Sequence, residues 1–102
     1  FSGDKCYEYN TLVFAIEKYA GNLINIAWCK QFSSKQVREN AAIFSQLSTA
    51  FSKQDLQSAF SINNKIHKRK RVVMQDHKSH PLDGAMIENL FAISSRALSV
   101  LL

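Results

Sequence analysis

Basic side chains are concentrated in one short stretch of the chain. The residues from Lys65 to Arg71 read KIHKRKR. Between Lys65 and Lys78 there are six basic residues and one acid, a net charge of +5, while the rest of the chain has seven of each. We call this set the basic segment: Lys65, Lys68, Arg69, Lys70, Arg71 and Lys78. A local positive excess on an otherwise neutral chain is typical of a surface that binds an acidic partner.

The geometry of a helix limits how these charges can be arranged. On one helix, the basic side chains from Lys65 to Arg71 would point in nearly every direction around the axis, so they cannot all lie on the solvent side of a packed helix. Either the helix protrudes or it ends here. A protruding basic segment can lie along a phosphate backbone, where each neutralised phosphate releases counterions. We therefore expect the basic segment to bind nucleic acid, either DNA or RNA, mainly through phosphates.

Other interpretations of the basic segment stay open. The run from Lys68 to Arg71 has the form of a short nuclear-import signal, and basic clusters also contact acidic proteins or membrane surfaces, or serve only as a solvated face. The segment lacks interleaved aromatic residues for base stacking. No helix with Asn, Gln and Arg arrayed for base edges is apparent. The helices predicted after Ser33 and Ser52 can be interpreted as a helix-turn-helix pair, although the usual small turn residue is absent.

Few residues are spaced for catalysis or for metal binding. His77 and His80, with Asp76 and the more distant His67, could ligate a metal, but we expect a hydrated loop because a loop supplies no fixed geometry. Histidines beside the lysines should be harder to protonate because of like charge. The sequence has no nucleophile elbow, no phosphate-binding glycine loop and no paired-carboxylate motif. We therefore expect a protein that is not an enzyme and that has no cofactor and no metal.

The composition predicts a folded helical domain. Of 102 residues, 46% are hydrophobic, and there are three glycines and one proline, which argues against disorder and against a turn-rich β-sandwich. No stretch approaches the roughly 20 apolar residues of a membrane span. Because the chain begins at Phe1 rather than Met and ends on Leu101-Leu102, we expect residues 1–102 to be a single domain excised from a larger protein.

The two cysteines indicate in which cellular compartment the protein is expected to lie. Cys6 and Cys29 are too few for a disulfide scaffold and lack the spacing of metal ligands. We expect reduced thiols in an intracellular protein. A secreted helical factor with one bridge between them is the alternative.

Apolar spacing predicts an all-α fold, a small bundle of about four helices, with a basic helix end and a loop between the third and the fourth. The predicted helices cover residues 10–30, residues 34–51, a third range from 53 with its apolar face ending at 66, and residues 84–102. Ser33, Ser52 and Asp83 are the predicted N-caps. The run from Val72 to Met74 has β preference, and residues 76–81 are predicted to form a loop.

Two aromatic residues fall on the polar side of the first predicted helix. Phe14 and Trp28 either lie under a neighbouring loop, which we expect because large aromatics are mostly buried, or contact a partner. The broad apolar arcs of the first and last helices support the second interpretation. The rival hypothesis is therefore a protein-interaction or oligomerisation domain of a larger protein.

Overall fold

The computed structural model describes residues 3–29, 35–76 and 81–101. These residues form five α-helices and no strand: α1 (Gly3–Ala27), α2 (Lys35–Ser52), α3 (Leu56–Lys68), α4 (Lys70–Asp76) and α5 (Pro81–Leu101). The prediction of an all-α bundle is confirmed. There is a fifth helix because the third predicted helix is interrupted at Arg69, and the chain then continues as α4. The local β preference of residues 72–74 does not produce a strand, since all three are helical.

The helices pack around one hydrophobic core to which all five contribute. α1 packs mainly against α5 and α2, whereas α3 packs against α2 and α5 without touching α1. α4 contacts α2, α3 and α5. The centre of the core includes the edge-to-face pair Phe44 and Phe91, whose ring centroids are 5.5 Å apart. Among the described elements, α2 and α5 therefore lie between α1 on one side and α3 with α4 on the other.

Two helices begin earlier than the sequence pattern indicates. α1 begins at Gly3 rather than near residue 10, because Tyr9 is buried in the core and its hydroxyl donates a hydrogen bond to the carbonyl of Phe51. This contact gives tertiary support to the first turns of α1. α5 begins at Pro81, where the fixed φ of proline suits a first helical position. Asp83 is thus inside α5, and its predicted role as N-cap is wrong.

The connection from α2 to α3 also differs from its predicted form. The Asp55 N–H bonds to the carbonyl of Ala50 and the Gln54 N–H to that of Phe51, which is the Schellman ending of a helix. Gln54 has the left-handed φ of 54° that this ending requires. The N-cap of α3 is Asp55, whose carboxylate accepts hydrogen bonds from Ser58. Ser52, the predicted cap, is instead the last residue of α2. The other predicted cap, Ser33, lies outside the described residues.

Both cysteines are free thiols, and the helix explains why. Cys6 lies near the start of α1 and Cys29 just beyond its end. At a rise of 1.5 Å per residue, α1 holds the two about 30 Å apart, far beyond the reach of a disulfide. A bridge between them within one chain is therefore excluded.

Candidate nucleic-acid interface

The basic segment lies where α3 ends and α4 begins, and a single residue, Arg69, joins the two helices. The Arg69 N–H donates to the carbonyl of Ile66 at 3.0 Å, and the Arg69 carbonyl accepts from the Val73 N–H at 2.9 Å. Ile66 and Val73 on either side of the break are buried in the core. One buried apolar residue in each helix therefore holds the junction at Arg69 against the core, and the basic side chains project from this fixed backbone.

Four cations of the basic segment are exposed: Lys65 and Lys68 on α3, and Lys70 and Arg71 on α4. The fifth, Arg69, is half-buried and lines a crevice whose other side is formed by α2. None of the five has an ion-pair partner within the described part of the chain. The surface therefore carries uncompensated positive charge. The sixth predicted member, Lys78, lies outside the described residues.

One edge of this surface packs against an aromatic ring of α5. The Nζ of Lys70 lies 5.3 Å from the centroid of Phe91, and the ring of His67 meets the same ring edge to face at 4.9 Å. The Nε2 of His67 is 3.4 Å from the hydroxyl of Ser95. Burial lowers the pKa of His67, and the charge of Lys70 lowers it further. Both effects favour the neutral form of His67, so this residue adds little charge to the surface.

The remaining histidine prediction falls mostly outside the described residues, which include neither His77 nor His80. Within the described ranges no group of three His, Cys, Asp or Glu side chains is close enough to hold a metal ion.

A second feature of the surface was missed from the sequence. Gln57, Ser61 and Asn64 are exposed on α3, on the same outer side as Lys68. With Lys68, these residues follow one another at intervals of four, three and four positions, which places them in one line along a helix. The signal was present in the sequence as polar residues at helical spacing. It was overlooked because polar residues opposite an apolar helix face are also typical of a solvated surface.

The aromatic residues of α1 form a separate surface. Phe14 is 70% exposed and Trp28 is 58% exposed, so the expectation that both lie under a loop is wrong. Tyr7, which the sequence reasoning did not single out, is 77% exposed. Positions 7, 14, 21 and 28 recur at intervals of seven residues and so share one side of the helix. We call Tyr7, Phe14 and Trp28 the aromatic face of α1.

The fold and the exposed cations of the α3–α4 junction describe an all-α bundle with a basic surface, which is a broad class of protein. No protein-family model matches the sequence, and no curated protein or solved structure matches it significantly. In the residues that the structure describes, no helix is both long enough and apolar enough to cross a membrane.

Proposed function

We propose that this protein is a non-enzymatic helical module that binds nucleic acid through its phosphates. One observation carries the proposal: four exposed cations of the α3–α4 junction have no acidic partner among the described residues. A free cation at a surface gains little from another protein group but releases counterions when it meets a phosphate backbone. The interruption at Arg69 divides these charges between two consecutive helices.

The expected binding is weak and tolerant of sequence at this level. Lysine contributes a point charge rather than a fixed fork of donors, and three of the four exposed cations are lysines. Contacts to phosphates fix the position of a protein on nucleic acid without reading its bases. We therefore expect this surface to give an affinity for nucleic acid that falls steeply as the salt concentration rises.

The test is charge reversal at positions that do not support the fold. Lys65, Lys68 and Arg71 are exposed and make no ion pair or ring contact within the described residues, so their replacement by Glu removes no such contact. Arg69 and Lys70 are left intact because the first lines the crevice beside α2 and the second lies over Phe91. Binding is measured by fluorescence anisotropy with labelled single- and double-stranded oligonucleotides at low salt.

The matched control reverses two exposed lysines of α1, Lys5 and Lys18, which lie on the helix that does not touch α3 or α4. We expect the junction variant to lose binding while its thermal unfolding midpoint stays close to that of the wild type. The control should bind nearly as the wild type does. Unchanged binding by the junction variant, or equal loss in both variants, contradicts the proposal.

A second candidate function rests on the aromatic face of α1. Three large side chains that are more than half exposed on one helix face resemble the apolar patches of interaction surfaces. Here the function would be self-association or binding of another protein. Sedimentation across micromolar concentrations tests self-association, with Phe14→Ser and Trp28→Ser as the disrupting pair and Val72→Ser, an exposed valine of α4, as control. A wild type that stays monomeric throughout rules out self-association.

A further inference from the structure

The connection between α2 and α3 is short, and α3 packs along α2 rather than across it. Only residues 53–55 separate the two helices. One crevice between them is lined by Thr49 and Ser58 near the turn, and another, farther from the turn, by Phe44 and Ile66. This antiparallel arrangement is an αα-hairpin, so the predicted helix-turn-helix pair, whose helices would cross at about 90–120°, is wrong. The major groove of DNA admits an α-helix, so the exposed side of α3 is the part of this hairpin that can contact DNA.

The outer line of α3 has the side chains that such a helix needs. Gln57, Ser61 and Asn64 are exposed, and none of them makes a side-chain hydrogen bond within the described residues. Their donors and acceptors are therefore available to a ligand. Glutamine and asparagine form paired hydrogen bonds with the major-groove edge of adenine, and serine accepts or donates to several bases. A purely solvated face would not need amides in this line, and lysine or glutamate would serve it equally well.

Cations lie at both ends of this line. Lys53 is exposed just before α3, and Lys65 and Lys68 are exposed near its end. The 13 residues of α3 span about 20 Å, enough to lie across a major groove about 12 Å wide with a cation near each phosphate backbone. Asp55 accepts two hydrogen bonds from Ser58 and adds one negative charge at the end of α3 where Lys53 lies, so the positive excess is larger at the other end. The lysines at the two ends of α3 are therefore placed to contact the phosphates on either side of the groove.

The same observations favour duplex DNA over other nucleic acids. The major groove of an RNA duplex is too deep and narrow to admit a helix. Single strands are usually bound by aromatic side chains on which bases stack. The aromatic face is on α1, which does not touch α3 or α4, while Phe91 beside the basic segment is buried.

We infer that α3 enters the major groove of duplex DNA, where Gln57, Ser61 and Asn64 contact base edges while the exposed lysines at the two ends of α3 hold the flanking phosphates: Lys53, Lys65 and Lys68. This inference rests on the proposed function, because it assigns the phosphate contacts to the same surface. It adds sequence preference, which phosphate contacts alone do not supply.

The experiment selects preferred sequences from a pool of random duplexes with the wild type and with Gln57→Ala, Ser61→Ala and Asn64→Ala combined. Alanine is the best helix former, so the triple variant keeps α3 helical. The matched control replaces three exposed amides of α1, the helix that does not touch α3, with Asn10→Ala, Asn22→Ala and Asn25→Ala. Affinities are then measured for the selected duplex, an unrelated duplex, the single strands and an RNA duplex of the same sequence.

We expect the wild type and the control to prefer the selected duplex over an unrelated one, by at least about fivefold for each paired contact. The triple variant should lose this preference while its salt-dependent binding remains. Equal preference in the triple variant, no preference in the wild type, or equal binding of single strands or duplex RNA overturns the inference but leaves phosphate binding standing. Absence of any salt-dependent binding by the wild type overturns both the inference and the proposed function.

Discussion

Neutralising the exposed cations of the α3–α4 junction should lower the salt dependence of binding by a calculable amount. Lys65, Lys68, Lys70 and Arg71 are exposed and without ion-pair partners in the described residues. If each neutralises one phosphate of a duplex, the plot of log affinity against log salt has a slope of about −3.6, since each contact contributes about −0.9. Affinity then falls about 150-fold between about 50 and 200 mM salt.

Each single replacement by glutamine should reduce the magnitude of that slope by about 0.9. Lys68→Gln and Arg71→Gln are the cleanest, because Lys70 also lies over Phe91 and its loss alters packing as well. Anisotropy titrations with one labelled duplex over a salt series give the slopes. Lys18→Gln on α1 should leave the slope unchanged. A wild-type slope near zero, or equal reductions by the α1 and junction variants, would refute the assignment of these side chains to phosphates.

Three further predictions concern the fold and are checked by urea unfolding. Gln54→Gly should stabilise the protein by about 0.5–1 kcal/mol, because glycine adopts the left-handed φ of this position without steric cost; a loss of stability would contradict the strain at Gln54. Tyr9→Phe should destabilise by about 1 kcal/mol through loss of the hydrogen bond to the Phe51 carbonyl, and an unchanged midpoint would contradict it. The pKa of His67 is lowered by burial and by Lys70, so the unfolded chain binds protons first on acidification. The free energy of unfolding should therefore fall as the pH drops below about 6.5, and this part of the fall should be absent in His67→Phe.

The helix faces could be predicted because they depend on spacing alone. Spacing of three or four residues places five apolar side chains on one side of α2, and all five are buried: Val37, Ala41, Phe44, Leu47 and Phe51. Residues three or four apart lie on one side of a helix whatever packs against it. The exposed polar arc of α1 follows from the same rule.

The helix boundaries depended on contacts that the local sequence does not contain. Ser52 and Asp55 are both good N-cap residues, and the left-handed Gln54 decides between them. A glutamine in the sequence does not predict a left-handed conformation, because glutamine rarely adopts it. Likewise, β-branched Val73 is helical because burial between α2 and α3 outweighs its weak local preference.

The candidate site was predicted in its charge but not in its detail. That the charges of the basic segment could not all face solvent on one helix follows from geometry, and the break at Arg69 bears this out. That Lys70 lies over Phe91 could not be foreseen, since the two residues come from different helices and are 21 positions apart.

The arrangement of the helices links the two candidate surfaces. The aromatic face lies on α1, and the basic segment with the polar line lies on α3 and α4, across the bundle from α1. If two copies paired through their aromatic faces, their α3 helices would be on the far sides of the dimer, directed away from each other. Such a dimer would present its basic surfaces to two separate duplexes rather than to neighbouring grooves of one. Loss of the aromatic face should therefore leave the salt slope on a single duplex unchanged, because each copy contacts that duplex alone.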